Sequence, residues 1–142
     1  MSQTSTTFRP YFSEESIPSD IDQIFYMEEV LQRVAQQIRL KEERIPLFIV
    51  AVIEAVTNAI QHGNRHDPTK KVRVRFSALS EVELIVEVED EGEGFNYAVL
   101  PDPTEEANLL REGGRGIFLM RNLADGVEFL EGGRCVRLHF RL

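Results

Sequence analysis

Cysteine is almost absent from this chain: Cys135 is the only one among 142 residues. That excludes an internal disulfide and any metal site built on cysteines, and it fits a reducing compartment. Cys135 itself reads as a small filler in a strand. Basic residues are also short, 16 Lys and Arg against 24 Asp and Glu, leaving a net charge of −8. Phosphate backbones are held by clusters of Lys and Arg, so the balance argues against a nucleic-acid grip and suits a basic protein partner. Neither a secretory leader nor an apolar run of about 20 residues stands out. Repeats, low-complexity tracts and a domain boundary are missing too. The expectation is one soluble, cytoplasmic domain over residues 1–142, without membrane contact and large enough to bury about two-thirds of its unfolded surface.

What is present is organised around Phe48 to Gly63. At 3.6 residues per turn, Leu47 to Ile60 is apolar on nearly every face, the mark of a helix pressed into a core. One stripe breaks it. Glu54, Thr57, Asn58 and Gln61 fall at i, i+3, i+4 and i+7 and so stack along a single line. Any one of them alone reads as a helix edge meeting water. Four on one line point to a wet cleft, a metal or a ligand, because a buried carboxylate without a partner costs several kcal/mol or gives up its charge.

Ahead of this helix, Phe8 to Phe12 predicts a short first strand, interrupted by Pro10. Ser19 is placed to cap a helix, with Asp22 three residues on. Ile24, Met27, Leu31, Val34 and Ile38 give that helix its apolar face, and Pro46 suits the first turn of the next one. Beyond Lys70 the period becomes two. Val72, Val74, Phe76 and Ala78, then Val82, Leu84, Val86 and Val88, alternate with charged residues, predicting an antiparallel hairpin with one apolar face and one of paired charge. The same alternation turns Asp90 inward, and Gly92 and Gly94 let the backbone after it come close to something flat. Residues 96–112 read as a lid or binding loop. Gly113 to Gly116 then feed a helix from Ile117 to Asp125, stopped by Gly126, and a glycine turn before a helix start is a ready phosphate site. A second hairpin closes the chain: Val127 and Phe129, a turn at Glu131 to Gly133, then Val136, Leu138, Phe140 and Leu142.

Glu54-x-x-x-Asn58, Asp90-x-Gly92-x-Gly94 and Gly114-x-Gly116 together resemble the three nucleotide-binding boxes of the gyrase, histidine-kinase, chaperone and mismatch-repair (GHKL) ATPases. The wording of Thr57 to Gly63 is most similar to the bacterial anti-sigma-factor serine/threonine kinases. The resemblance, over residues 46–142, implies an α+β fold: a two-layer α/β sandwich with a mostly antiparallel mixed sheet and helices on one face, the Bergerat ATP-binding fold. It implies ATP and Mg²⁺ as cofactors. Asp90 would accept a hydrogen bond from the adenine amine, Gly92 and Gly94 would pass close to the ring, and Asn58 would give its amide oxygen to the metal. Gly114, Arg115 and Gly116 would wrap the phosphates, Phe95 and Ile117 would flank the nucleotide, and Glu54 would be the catalytic base. His62 either joins the nucleotide-binding set or only helps to close the helix. The partners implied are a sigma factor, a STAS-type antagonist protein as phosphorylation substrate, and a second copy of the chain, met through the first strand or the sheet edge. Sensor histidine kinases usually carry Asn where Glu54 stands and need a phospho-accepting His on a dimerising helix, so a detached fragment of one is a poor fit. The alternative is a nucleotide-gated binding module without phosphotransfer.

Overall fold

The computed structural model describes residues 8–94 and 114–142, with residues 114–116 described by backbone only. Five strands form one sheet in the order β1-β2-β3-β5-β4: β1 is Tyr11–Pro18, β2 Lys71–Ala78, β3 Glu83–Glu89, β4 Gly126–Leu130 and β5 Cys135–Arg141. Every pairing among them is antiparallel, so no mixed pairing occurs within the described residues. Helices α1 (Gln23–Gln37), α2 (Ile45–Asn58) and α3 (Gly114–Leu123) make the second layer. The core lies between the layers, where Val72, Val74, Phe76, Leu84, Val86 and Leu138 meet Met27, Leu31, Phe48, Val52 and Val56. Alternation in the hairpin strands is what delivers those side chains, since successive residues point to opposite faces.

α2 is the central helix. It packs against α1, α3, β3 and β5, and Phe48, Ala51, Val52, Ala55 and Val56 are buried along it. Phe48 meets Phe140 edge to face at 5.1 Å, a favoured aromatic geometry. The helical stretch Glu42–Gly63 runs for 22 residues at a hydropathy of 1.5, long and apolar enough by composition to cross a membrane. The stretch is no unbroken apolar run, since it starts inside the charged Glu42–Arg44 turn, takes in Glu54 and Asn58 and continues past Gln61 and His62. In this fold one face, with Phe48, Val52, Val56 and Ile60, is buried against the sheet and the neighbouring helices, while Leu47 and Val50 stay exposed.

Three local expectations shift. The first strand begins after Pro10 and continues to Pro18, because its inward residues Tyr11, Ser13 and Glu15 are polar and hide the alternation. Tyr11 donates to Gln37 Oε1 on α1 at 2.7 Å, Glu15 accepts from the Tyr26 hydroxyl of α1 at 2.7 Å, and Ser13 donates to the Tyr11 hydroxyl within the strand at 3.1 Å. Ser19 does not cap α1, whose N-cap is Asp22 without a side-chain cap bond; Ser19 is buried and donates its hydroxyl to Lys70 O at 2.7 Å. Val82 lies outside β3 and is 67% exposed.

The outer face of the sheet carries the paired charges the sequence implied. Arg75 bridges Glu87 and Glu89, and Arg137 bridges Glu87 and Glu128, so guanidinium and carboxylate alternate across β2, β3, β5 and β4. His139 adds a rung, with Nδ1 at 3.1 Å from Glu83 and Nε2 at 2.5 Å from Glu128. Burial works against its charged form, but the hydrogen bonds to Glu128 and Glu83 outweigh it and raise the imidazole pKa. Asp125 ties the end of α3 to the rest, accepting from Arg44 at 2.6 Å and from the Arg141 N–H at 2.7 Å. Cys135 is buried in β5 as expected, its thiol pushed up to about 11 by desolvation, which leaves it protonated and inert at neutral pH.

Candidate functional site

The polar stripe on α2 is neither dry nor fully solvated. Glu54, Thr57, Asn58 and Gln61 are all half-buried, beside fully covered Ala51, Val52, Ala55, Val56 and Ile60. Among the described residues no hydrogen bond or ion pair engages the Glu54 or Asn58 side chain, so both remain available to a ligand.

Immediately after Asn58 the helix widens into a single π turn, Ala59–Gly63. Nothing in the apolar period announces it. The Asn64 N–H reaches back five residues to Ala59 O at 2.8 Å, the bonding pattern of a π bulge, a feature frequent at functional sites. The extra residue in the turn brings Gly63 and Asn64 against the loop that follows β3. A Cβ on Gly63 would lie 2.3 Å from Asp90 Cγ, and one on Gly92 would lie 2.1 Å from Gly63 O. Both are impossible contacts, so glycine at 63 and 92 is what lets the helix end touch the Asp90 loop. Gly94, at φ +81°, approaches Gly132 O in the same way, with a hypothetical Cβ at 2.1 Å. The close approaches of Gly92 and Gly94 are to the backbone oxygens of Gly63 and Gly132, and that of Gly63 is to the Asp90 side chain. Gly63→Ala is expected to cost about 1–3 kcal/mol, as overpacking does, because Asp90 must move. An unchanged urea midpoint would show that the contact is slack.

Asp90 follows the last residue of β3, turned inward as its alternation requires, and is half-buried. Its own N–H donates to Arg134 O at 2.9 Å, and its Oδ1 accepts from the Gly92 N–H at 2.8 Å. Desolvation raises its pKa, opposed in part by the Gly92 hydrogen bond and by Arg134. A carboxylate kept at some expense at a strand end, with one oxygen already used to shape its loop, is suited to accepting one further donor.

Beside the Gly63–Asp90 contact opens a cavity of about 310 Å³ whose wall includes His62, Gly63, Asn64, Arg65, Lys70, Gly92 and Gly94. It gathers His62, Gly92 and Gly94 from the sequence-derived set. Glu54, Asn58 and Asp90 are not on its wall. Gly114 to Gly116 fall within the first turn of α3, so the helix begins among the glycines and not after them, and Ile117 is half-buried one residue later. α3 packs directly on α2, which puts the helix that starts at these glycines next to the one carrying Glu54 and Asn58. Phe95 and the expected lid, residues 96–112, lie outside the described residues.

Asn64, to which the sequence assigns no role, and Ser19, to which it assigns a different one, meet in the interior. Asn64 and Ser19 are the buried polar residues among those described, each about 1% exposed. Asn64 donates to Ser19 Oγ at 2.8 Å and to Lys71 O at 2.9 Å, and accepts from the Glu91 N–H at 2.7 Å. A short polar residue just past a helix has no periodicity to betray it. Only the pairing of Asn with a preceding glycine hints at a chain junction.

Residues 17–140 match the family described as the histidine kinase-like ATPase domain. Among curated proteins, the chain is 30% identical over 122 residues to the serine-protein kinase RsbW of Bacillus subtilis, covering 82% of this chain and 76% of that one. It is 28% identical over 123 residues to RsbW of Oceanobacillus iheyensis, covering 82% and 77%. RsbW of Staphylococcus aureus is 27% identical over 122 residues, with the same coverage. The family match over most of the chain and these identities show that the chain belongs to the histidine kinase-like ATPase domain family, in the group of the RsbW serine-protein kinases.

Proposed function

We propose that this chain is an ATP-dependent serine/threonine protein kinase that acts as an anti-sigma factor, holding a sigma factor and phosphorylating a STAS-type antagonist protein. The observation that carries the reading is the half-buried pair Glu54 and Asn58 beside the buried Ala51, Val52, Ala55 and Val56 of α2, a helix whose far end is fitted to the Asp90 loop. Family membership and the names of its relatives support it.

Asp90 would accept the adenine amine, and the loop carrying Gly92 and Gly94, fixed by its backbone contacts, would hold that carboxylate still. Asn58 Oδ1 is an oxygen donor of the kind Mg²⁺ prefers, and Mg²⁺ commonly binds through one or two protein oxygens together with substrate phosphates. Among the described residues no three His, Cys, Asp or Glu side chains gather into a metal cage, so phosphate oxygens and Asn58 would supply that set. When bound, the metal neutralises charge on the phosphates. Gly114, Arg115 and Gly116 would face the phosphates at the start of α3, where unpaired N–H groups and the helix dipole favour anions. Glu54, one turn before Asn58, would orient the incoming protein hydroxyl and take its proton. Phosphoryl transfer asks mainly for such positioning and charge stabilisation. His62 and Ile117, together with Phe95, complete the proposed nucleotide contacts.

The cytoplasm is the compartment proposed, where ATP and a sigma factor are both available. The test is transfer from γ-labelled Mg·ATP into small acidic proteins of a host lysate, followed by acid treatment of the label. Acid-stable label supports hydroxyl transfer, acid-labile label overturns it, and ATP binding without label favours a nucleotide-gated binding module.

A homodimer is part of the proposal. β1 is an edge strand, its outward Phe12 is 68% exposed, and an open edge pairs readily with another chain. Light scattering at micromolar concentration should return twice the 16.3 kDa chain mass; a monomer there defeats this part.

A further inference from the structure

Besides the backbone contacts that fix the Asp90 loop, the side chains of Asn64 and Glu91 tie it to the start of β2. Asn64 is about 1% exposed and uses both ends of its amide. Its Oδ1 takes the N–H of Glu91, the residue after Asp90, at 2.7 Å. Its Nδ2 is anchored twice, on Lys71 O at 2.9 Å and on Ser19 Oγ at 2.8 Å, while Ser19 in turn donates to Lys70 O at 2.7 Å. The Glu91 carboxylate accepts from the Lys71 N–H, closing a ring of hydrogen bonds from the start of β2 to the loop after β3 and back. The π turn is the reason Asn64 can do this, since it delivers the residue after Gly63 inward where an α-helical turn would have aimed it elsewhere.

We infer that Asn64 is a positioning residue for nucleobase selection: it fixes the Glu91 amide, and through it the aim of the Asp90 carboxylate toward an exocyclic amine. The inference rests on the adenine reading of Asp90. Ser19 belongs to the same cluster but touches only the anchored end of the Asn64 amide. The two residues therefore separate stability from selection. Losing Ser19 loosens the anchor and lowers the melting temperature. Losing Asn64 also releases the loop and lets the carboxylate wander, so discrimination between an amine and a carbonyl on the base falls.

The experiment is calorimetric binding of ATP and of inosine triphosphate, which carries a carbonyl where adenine has its amine, to the wild-type chain and three variants. Asp90→Ala controls the underlying reading and should erase most of the preference for ATP; if it does not, the adenine role fails and the inference goes with it. Asn64→Ala should reduce the preference about fivefold, the scale of one net hydrogen bond. Ser19→Ala should lower the melting temperature by a few degrees and leave the preference at the wild-type value. With Asp90→Ala behaving as expected, an unchanged preference in Asn64→Ala, or an equal loss in Ser19→Ala, overturns the positioning role. Should Asn64→Ala not fold, amide exchange in the wild-type protein decides. A Glu91 N–H as protected as the core of β3 supports the inference, and one exchanging at the rate of open chain overturns it.

Discussion

Replacing Glu54 with alanine is expected to lower phosphotransfer by about 10²- to 10⁴-fold, the usual contribution of a positioned general base, while ATP affinity stays near the wild-type value. The separation follows from where the side chain sits. Glu54 is on the α2 stripe one turn before Asn58 and away from the Gly63–Asp90 contact, so its removal touches neither base recognition nor the proposed metal contact. It is half-buried, so truncation opens space at a cleft edge and not a sealed cavity, and the fold should survive. Binding of ATP and transfer of label, measured on the same preparation, check the division directly. If both fall together, Glu54 contributes to nucleotide binding and its assignment as base is wrong. Glu54→Gln sharpens the test, because it keeps shape and hydrogen bonding but cannot take a proton; activity close to wild type there would mean that Glu54 only orients.

Asp90→Asn should weaken ATP binding by about 10- to 100-fold, since hydrogen bonds to a charged group are worth about 1.5–3 kcal/mol. The amide turns an acceptor-only edge into one that also presents donors, and a donor facing the adenine amine repels it. The pH dependence gives a second signature. Burial raises the Asp90 pKa above 3.8, so the carboxylate takes up its proton at a higher pH than an ordinary aspartate. Protonation removes the acceptor. ATP affinity is thus full above the raised pKa and falls as the pH drops through it, a window beginning on the alkaline side of the normal carboxylate range. The fold responds with the opposite sign: a carboxyl that holds its proton more tightly folded than unfolded makes the free protein less stable as the pH rises through that same window. Calorimetric titrations between about pH 4 and pH 8 should show the affinity loss in the wild type and a flatter profile in Asp90→Asn. A wild-type profile without an acid limb would remove Asp90 from the base contact.

How much of this was legible in the chain differs by the kind of signal. Val72 to Ala78 and Leu84 to Val88 alternate cleanly because one face of the sheet is core and the other carries charge, so the hairpin and the inward turn of Asp90 could be read directly. The α2 stripe was equally plain, four polar residues against a background of Val, Ile and Ala. β1 starts later and runs longer than its sequence suggests, because its inward Tyr11, Ser13 and Glu15 are polar, Tyr11 and Glu15 bonding to α1 and Ser13 to Tyr11, and imitate an exposed segment. Ser19 looked like a helix cap because Ser is a good one; its hydroxyl found a carbonyl across the fold, and Asp22 took the cap position. The glycines at 114 and 116 suggested a loop before a helix, but a helix can start on glycine when packing against a neighbour supports its first turn. Asn64 was invisible for a different reason. Its importance comes from three partners distant in sequence, and no local pattern encodes such a meeting.

The order of the strands has a consequence for how the molecule assembles. β2 with β3, and β4 with β5, are hairpins between neighbours in sequence, whereas β3 joins β5 through pairs such as Glu89 with Cys135 that lie far apart along the chain. Local pairs close early and distant ones late, because the entropy of closing a long loop must be met before its contacts repay it. The late steps are therefore the zipping of β3 to β5 and of β1 to β2, whose pairs such as Tyr11 with Ala78 are also distant. Asp90 follows β3 and donates its N–H to Arg134 just before β5, so it lies on one of the seams that zip late. A ligand that binds only the zipped form raises the stability of the whole molecule by mass action. Nucleotide concentration then sets how much of the chain is folded as well as how much of it is working.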